Sequence, residues 1–143
     1  MRRRSVVHIG VIDDDRDFLA LMEDVLIDRG WDVTCCHDTL SALALFTEQT
    51  LHTVVLDIRL ETAQSGWDIL TFLEGYPRLG SLPVIVCSGD VLELRERAAW
   101  LQERGIRVLH KPFDLAELYD AVEAALEQTD AADGVPQQLI STA

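Results

Sequence analysis

Five polar residues sit at the ends of short apolar runs, and their types are those that handle phosphate and hard cations. V-I-D-D-D at 11–15 leaves Asp13 and Asp14 where one run stops, and V-V-L-D at 54–57 ends on Asp57. V-I-V-C-S-G at 84–89 leads into Ser88, and V-L-H-K-P at 108–112 into Lys111. Singly, each has an ordinary explanation, because Asp and Ser are common in turns and at helix N-caps. Together they specify a chemistry. Two like charges 4 Å apart cost roughly 4 kcal/mol at an effective dielectric near 20, so three converging carboxylates require a cation among them. Oxygen-only donors with an open coordination sphere suit Mg²⁺ or Mn²⁺. Lys111 adds a compact ammonium and Ser88 a hydroxyl donor for phosphoryl oxygens. In that company Asp57 is placed to be the nucleophile that becomes an aspartyl phosphate.

These residues act together only if the run ends meet in space. Apolar runs at 6–12, 32–36, 53–56, 84–87 and 106–109 alternate with stretches of helical period, the pattern of a parallel sheet with crossover helices. Phe18, Leu21, Met22, Val25 and Leu26 form one stripe, between an N-cap at Asp15 and Gly30. Leu40, Leu43 and Phe46 form a second, after Asp38 or Thr39, and Ile69, Leu70 and Leu73 a third that stops before Pro77. Val91, Leu94, Ala98 and Leu101 make a fourth, closed by Gly105, with Trp100 off the stripe, either exposed for a partner or partly buried as a packing residue. Asp114 and Glu117 have capping-box spacing ahead of Leu115, Leu118, Val122 and Ala125. The pattern predicts a doubly wound α/β fold, a (βα)5 sandwich with helices on both faces. Its domain spans 1–127, with a flexible tail at 128–143. In such sheets ligands bind at the carboxyl ends of the strands, where all five polar residues fall.

Composition excludes several functions. The chain has 143 residues and a net charge of −13, and its only basic cluster is Arg2 to Arg4. Neither nucleic acid nor an anionic membrane is an expected direct partner. No apolar run approaches the roughly 18 residues of a membrane span, and no small-residue cleavage site follows the first run. Cys35, Cys36 and Cys87 fit neither a disulfide framework nor a zinc site, so a reducing, cytoplasmic location is expected. Of twelve basic residues, eleven are Arg, and the single Lys is Lys111.

With these motifs in hand, the sequence resembles the receiver domains of two-component response regulators over about residues 5 to 127. It does so through V-I-D-D-D, V-V-L-D-I-R-L at 54–60, V-I-V-C-S-G and H-K-P-F at 110–113. The resemblance implies the strand order 2-1-3-4-5 and makes Asp57 the phosphoacceptor. It makes Asp14 a direct Mg²⁺ ligand, with Asp13 acting mainly through water and the carbonyl of Arg59 a further ligand. Ser88 matches the switch hydroxyl and Lys111 the family's lysine, with a cis peptide before Pro112. The implied donor is a sensor histidine kinase or a histidine phosphotransfer protein. With only a short tail after the domain, a stand-alone receiver acting on a downstream protein is expected. It would turn over no substrate beyond its own phosphorylation and autodephosphorylation.

Three departures from the family pattern bear on mechanism. Val108 stands where members usually carry a switching aromatic, so coupling is expected to run through Ser88 and the following loop. Glu61 replaces a common proline four residues after Asp57, and Gly66 lies nine after it rather than eight; a longer, more mobile loop is expected. Arg59 and Asp90, each two residues beyond a site residue, either pair across the mouth and slow self-dephosphorylation or stand as two surface residues without coupling. Two other classes remain open. A haloacid-dehalogenase-type phosphatase would want an Asp at position 59, which is Arg. A phosphorylation-independent interaction module would not need all five key side chains.

Overall fold

The computed structural model describes residues 6–131. Strands β1 (His8–Ile12), β2 (Asp32–Cys36), β3 (Thr53–Asp57), β4 (Val84–Ser88) and β5 (Arg107–His110) form one parallel sheet in the order β2-β1-β3-β4-β5. Helices α1 (Arg16–Asp28), α2 (Thr39–Glu48), α3 (Ser65–Gly75), α4 (Val91–Glu96), α5 (Ala98–Glu103) and α6 (Leu115–Ala131) cover both faces. Alternation along the strands divides the core. Ile9, Val11, Val55, Ile85, Cys87 and Leu109 pack with α1 and α6. Ile12, Val54, Leu56, Val84 and Val86 pack with α2, α3, α4 and α5. Every strand of the middle three is apolar on both faces because both are covered. The doubly wound fold and strand order are thus as expected.

Caps were legible in the sequence, and the buried stripes less so. Asp15 accepts from the backbone N–H of Asp17 and Phe18, and Gly30, at φ +92°, follows the helix end. Asp114 and Glu117 exchange reciprocal bonds of 2.8 and 2.9 Å. On α1, however, Leu19, Met22 and Leu26 are buried while Leu21 is 58% exposed. On α2, Leu40 is 78% exposed and Ala42 fully buried. On α2 the buried face therefore includes a small residue, beside Leu45 and Phe46, that a search for large ones overlooks. The expected fourth helix is two, α4 and α5, interrupted at Arg97. They bury Leu94 and Leu101, seven residues and two turns apart, and leave Val91 and Ala98 exposed. The last helix runs beyond 127 to Ala131, fastened by Thr129, whose hydroxyl lies 3.1 Å from the His52 carbonyl. The rest of the expected tail, and Arg2 to Arg4, lie outside the described residues.

Candidate phosphoryl and metal site

The strand alternation that builds the core also aims the site. Continuing past Val11, Val55 and Leu109 along their strands reaches Asp13, Asp57 and Lys111, which meet at the carboxyl edge of the sheet. One carboxylate oxygen from each of Asp13, Asp14 and Asp57 lies within 4.8 Å of the others. Asp13 is buried, its Oδ1 accepting the Asp15 N–H at 2.9 Å and its Oδ2 bonded by Lys111 Nζ at 2.7 Å. Asp57 is 8% exposed, accepts the Arg59 N–H at 3.2 Å, and lies 3.6 Å from the same ammonium. Asp14 is exposed at the rim. Lys111 is steadied over the ring of Phe18, and its peptide bond to Pro112 is cis.

The electrostatics are unbalanced without a further cation. Burial pushes the Asp57 carboxyl up to about 6, helped by the charges of Asp13 and Asp14; Lys111 and the Arg59 N–H pull the other way without winning. Burial opposes the Lys111 ammonium too, but its bond to Asp13 and the charge of Asp57 hold its pKa above the usual lysine value. One ammonium thus serves two buried carboxylates, with a third acid at the rim. A hard divalent cation fits this donor set: Asp13, Asp14 and Asp57 supply oxygens and the edge opens to solvent.

The opening is a groove of about 670 Å³ lined by Asp14 and Asp57 together with Arg59, Ser88, Asp90 and Lys111. Ser88 is buried at the end of β4, its Oγ accepting the Asp90 N–H at 3.0 Å while its own hydrogen can turn toward the groove. Arg59 and Asp90 do pair, at 2.9 Å. Asp90 also caps α4 through the Glu93 N–H, and that bond, with Arg59, holds its carboxyl below the usual range. Val108 is 36% exposed on β5, opposite Val86, with no ring to move.

Near the site one expectation is corrected, for the loop, and one alternative is decided, for Trp100. The loop after Asp57 is tied down: Glu61 takes the Thr39 N–H at 2.8 Å and the Thr39 hydroxyl at 2.7 Å at the start of α2. Its far end is locked by Gly66, whose N–H bonds the Ile58 carbonyl at 2.9 Å and where a Cβ would stand 2.4 Å from Ile58 Cα. Trp100 is half-buried, edge-to-face with Trp67 at 5.8 Å and covered by Arg104. Glu93 and Trp67, unnoticed in the sequence, border the site: the indole N–H bonds the Glu93 carboxylate at 2.7 Å. The signal for Glu93 was present, since Asp90 and Glu93 repeat the Asp114 and Glu117 spacing.

Comparison with known proteins agrees with this geometry. Residues 9–123 match the family model of the response regulator receiver domain. The chain is 35% identical over 121 residues to the transcriptional regulatory protein PrrA of Mycobacterium leprae, covering 85% of this chain and 50% of that one. It is 30% identical over 127 residues to the response regulator MprA of Mycobacterium tuberculosis, covering 89% and 54%. It therefore spans about half the length of the curated relatives it matches. Among solved structures, the receiver domain of NtrX from Brucella abortus is similar at TM-score 0.72 and 31% identity, over 85% of this chain and 99% of that one. A CheY-like receiver domain protein from Methanospirillum hungatei shares the fold at TM-score 0.74 and 20% identity, over 87% and 97%. The motifs, the strand order and the five converging side chains agree with the family match: the chain belongs to the receiver domain family of response regulators.

Proposed function

We propose that the chain is a phosphorylatable receiver of two-component signalling. On this reading it accepts a phosphoryl group on Asp57 from a sensor histidine kinase or histidine phosphotransfer protein and passes the signal to a downstream protein. The observation that carries it is the convergence of Asp13, Asp14 and Asp57 within 4.8 Å, closed on one side by Lys111. Those carboxylates and the Arg59 carbonyl would hold Mg²⁺, which when bound would supply charge neutralisation for the phosphoryl group. Asp57 attacks phosphorus, a bond to one of its oxygens forms, and the bond from phosphorus to the donor histidine nitrogen breaks. The ammonium of Lys111 and the hydroxyl of Ser88 receive phosphoryl oxygens. The Arg59 and Asp90 pair narrows the approach for water, lengthening the life of the acyl phosphate.

The domain's work is group acceptance and its own slow hydrolysis rather than turnover of a separate substrate. Its acidity favours a protein over nucleic acid as the surface it contacts. No described helix is long and apolar enough to cross a membrane. The free cysteines suit a cytoplasmic setting, with burial pushing Cys35 up to about 11 and Cys87 up to about 12, where thiols are inert. Phosphotransfer profiling against the histidine kinases of the source organism tests the reading. Rapid transfer from one kinase is expected, and steady release of phosphate from small phosphate esters would instead favour a phosphatase.

A further inference from the structure

The capping-box spacing is used differently at its two occurrences. At α6 the Glu117 carboxylate returns to the Asp114 N–H. At α4 the Asp90 N–H is taken by Ser88 Oγ, and Glu93 points elsewhere. Glu93 Oε2 accepts the Trp67 indole N–H at 2.7 Å, while Oε1 is buried without a hydrogen-bond partner, 3.8 Å from the Arg59 guanidinium. A buried acceptor left without a hydrogen bond calls for a physical account. Arg59 is the cation beside it, shared with Asp90 at 2.9 Å and lining the same groove as Asp57, Ser88 and Lys111. Trp67 is itself fixed, with Arg97 stacked 4.2 Å from its ring centroid and Trp100 edge-on.

We propose that Glu93 is a positioning residue: braced by Trp67, it holds the Arg59 guanidinium at the mouth of the phosphoryl groove and carries the arrival of phosphoryl charge to α3 and α4. This rests on the phosphoacceptor reading above. A phosphoryl group on Asp57 adds a third anionic acceptor for a guanidinium already shared by two carboxylates. Arg59 shifts toward it, Glu93 loses its neighbouring cation, and its bond to the Trp67 indole changes. A path therefore leads from the groove to the helices with Val108 in place of an aromatic ring. The exposed Val91 and Leu92 lie on the same turn of α4 as this carboxylate.

The full chain, labelled with ¹⁵N, tests this through the Trp67 indole N–H resonance, identified with Trp67→Phe. Mg²⁺ with beryllofluoride, and separately Mg²⁺ with acetyl phosphate, are expected to move that resonance in the parent protein. Glu93→Gln, which keeps an acceptor for the indole but removes the charge, is expected to abolish the movement. It should also change the phosphoryl lifetime by about threefold, within the range of an exposed ion pair. In an Arg59→Ala background the same substitution should change the lifetime no further, because Glu93 acts through Arg59. A stationary indole resonance on a protein with Asp57 fully phosphorylated overturns the proposal alone, as does an additive double variant. Failure of Asp57 to accept phosphoryl overturns the reading beneath it and this proposal with it.

Discussion

At the scale of residues, the site is a set of charges that the fold forces together. Asp57 is the clearest case, because its carboxyl lies at about 6 where 3.8 is ordinary. The folded state then holds this proton more tightly than the unfolded one, so stability falls as pH rises between about 4 and 6 and the full penalty applies above. Asp57→Asn removes it. In metal-free buffer at pH 7 the variant is expected to be more stable by about 2 kcal/mol, read from urea midpoints, with the gain vanishing below pH 4. Equal stabilities at pH 7 would mean that burial does not strain Asp57. Lys111→Ala has the opposite sign. It leaves buried Asp13 without its ammonium and is expected to destabilise by roughly 3 kcal/mol in the same assay. The lone lysine of an arginine-rich chain thus stands where one compact ammonium lies 2.7 Å from Asp13 and 3.6 Å from Asp57.

At the scale of elements, what was legible in the sequence is what local chemistry decides. Asp15, Asp114 and Gly30 act within one turn of themselves, and the strand runs announce burial on both faces; both were readable. The seats of the helices were not, because Ala42 rather than Leu40 meets the sheet, and packing rather than composition chooses between them. The site residues were legible because strand ends are fixed by topology. The spacing of Glu93 from Asp90 was visible, but its bond to Trp67 was not, because that contact joins α4 to α3 across the fold. The loop after Asp57 shows the same limit. Its odd Glu61 was visible, but its partner Thr39 lies at the start of another helix. Glu61→Ala is expected to cost about 1 kcal/mol, as loss of a cap does, and to speed amide hydrogen exchange across residues 58–64. Unchanged exchange would show that the tie does not restrain the loop. Gly66→Ala drives a methyl into the Ile58 backbone and is expected to cost about 3 kcal/mol by urea denaturation.

At the scale of the whole molecule, an acidic chain concentrates three of its carboxylates at one sheet edge, a donor set that fits a divalent cation. Mg²⁺ is therefore expected to raise the melting temperature, reversibly with chelator, and to do so more at pH 7.5 than at pH 5, where protons compete for Asp57. A Mg²⁺ effect independent of pH would place the ion elsewhere. The central claim is that this charge balance exists to accept a phosphoryl group on Asp57. Its most direct measurement is intact-mass and peptide mass spectrometry after incubation with acetyl phosphate. A single, Mg²⁺-dependent phosphoryl group on the peptide containing Asp57, absent from Asp57→Asn, is the predicted result; no label, or full labelling of the Asn variant, would contradict it.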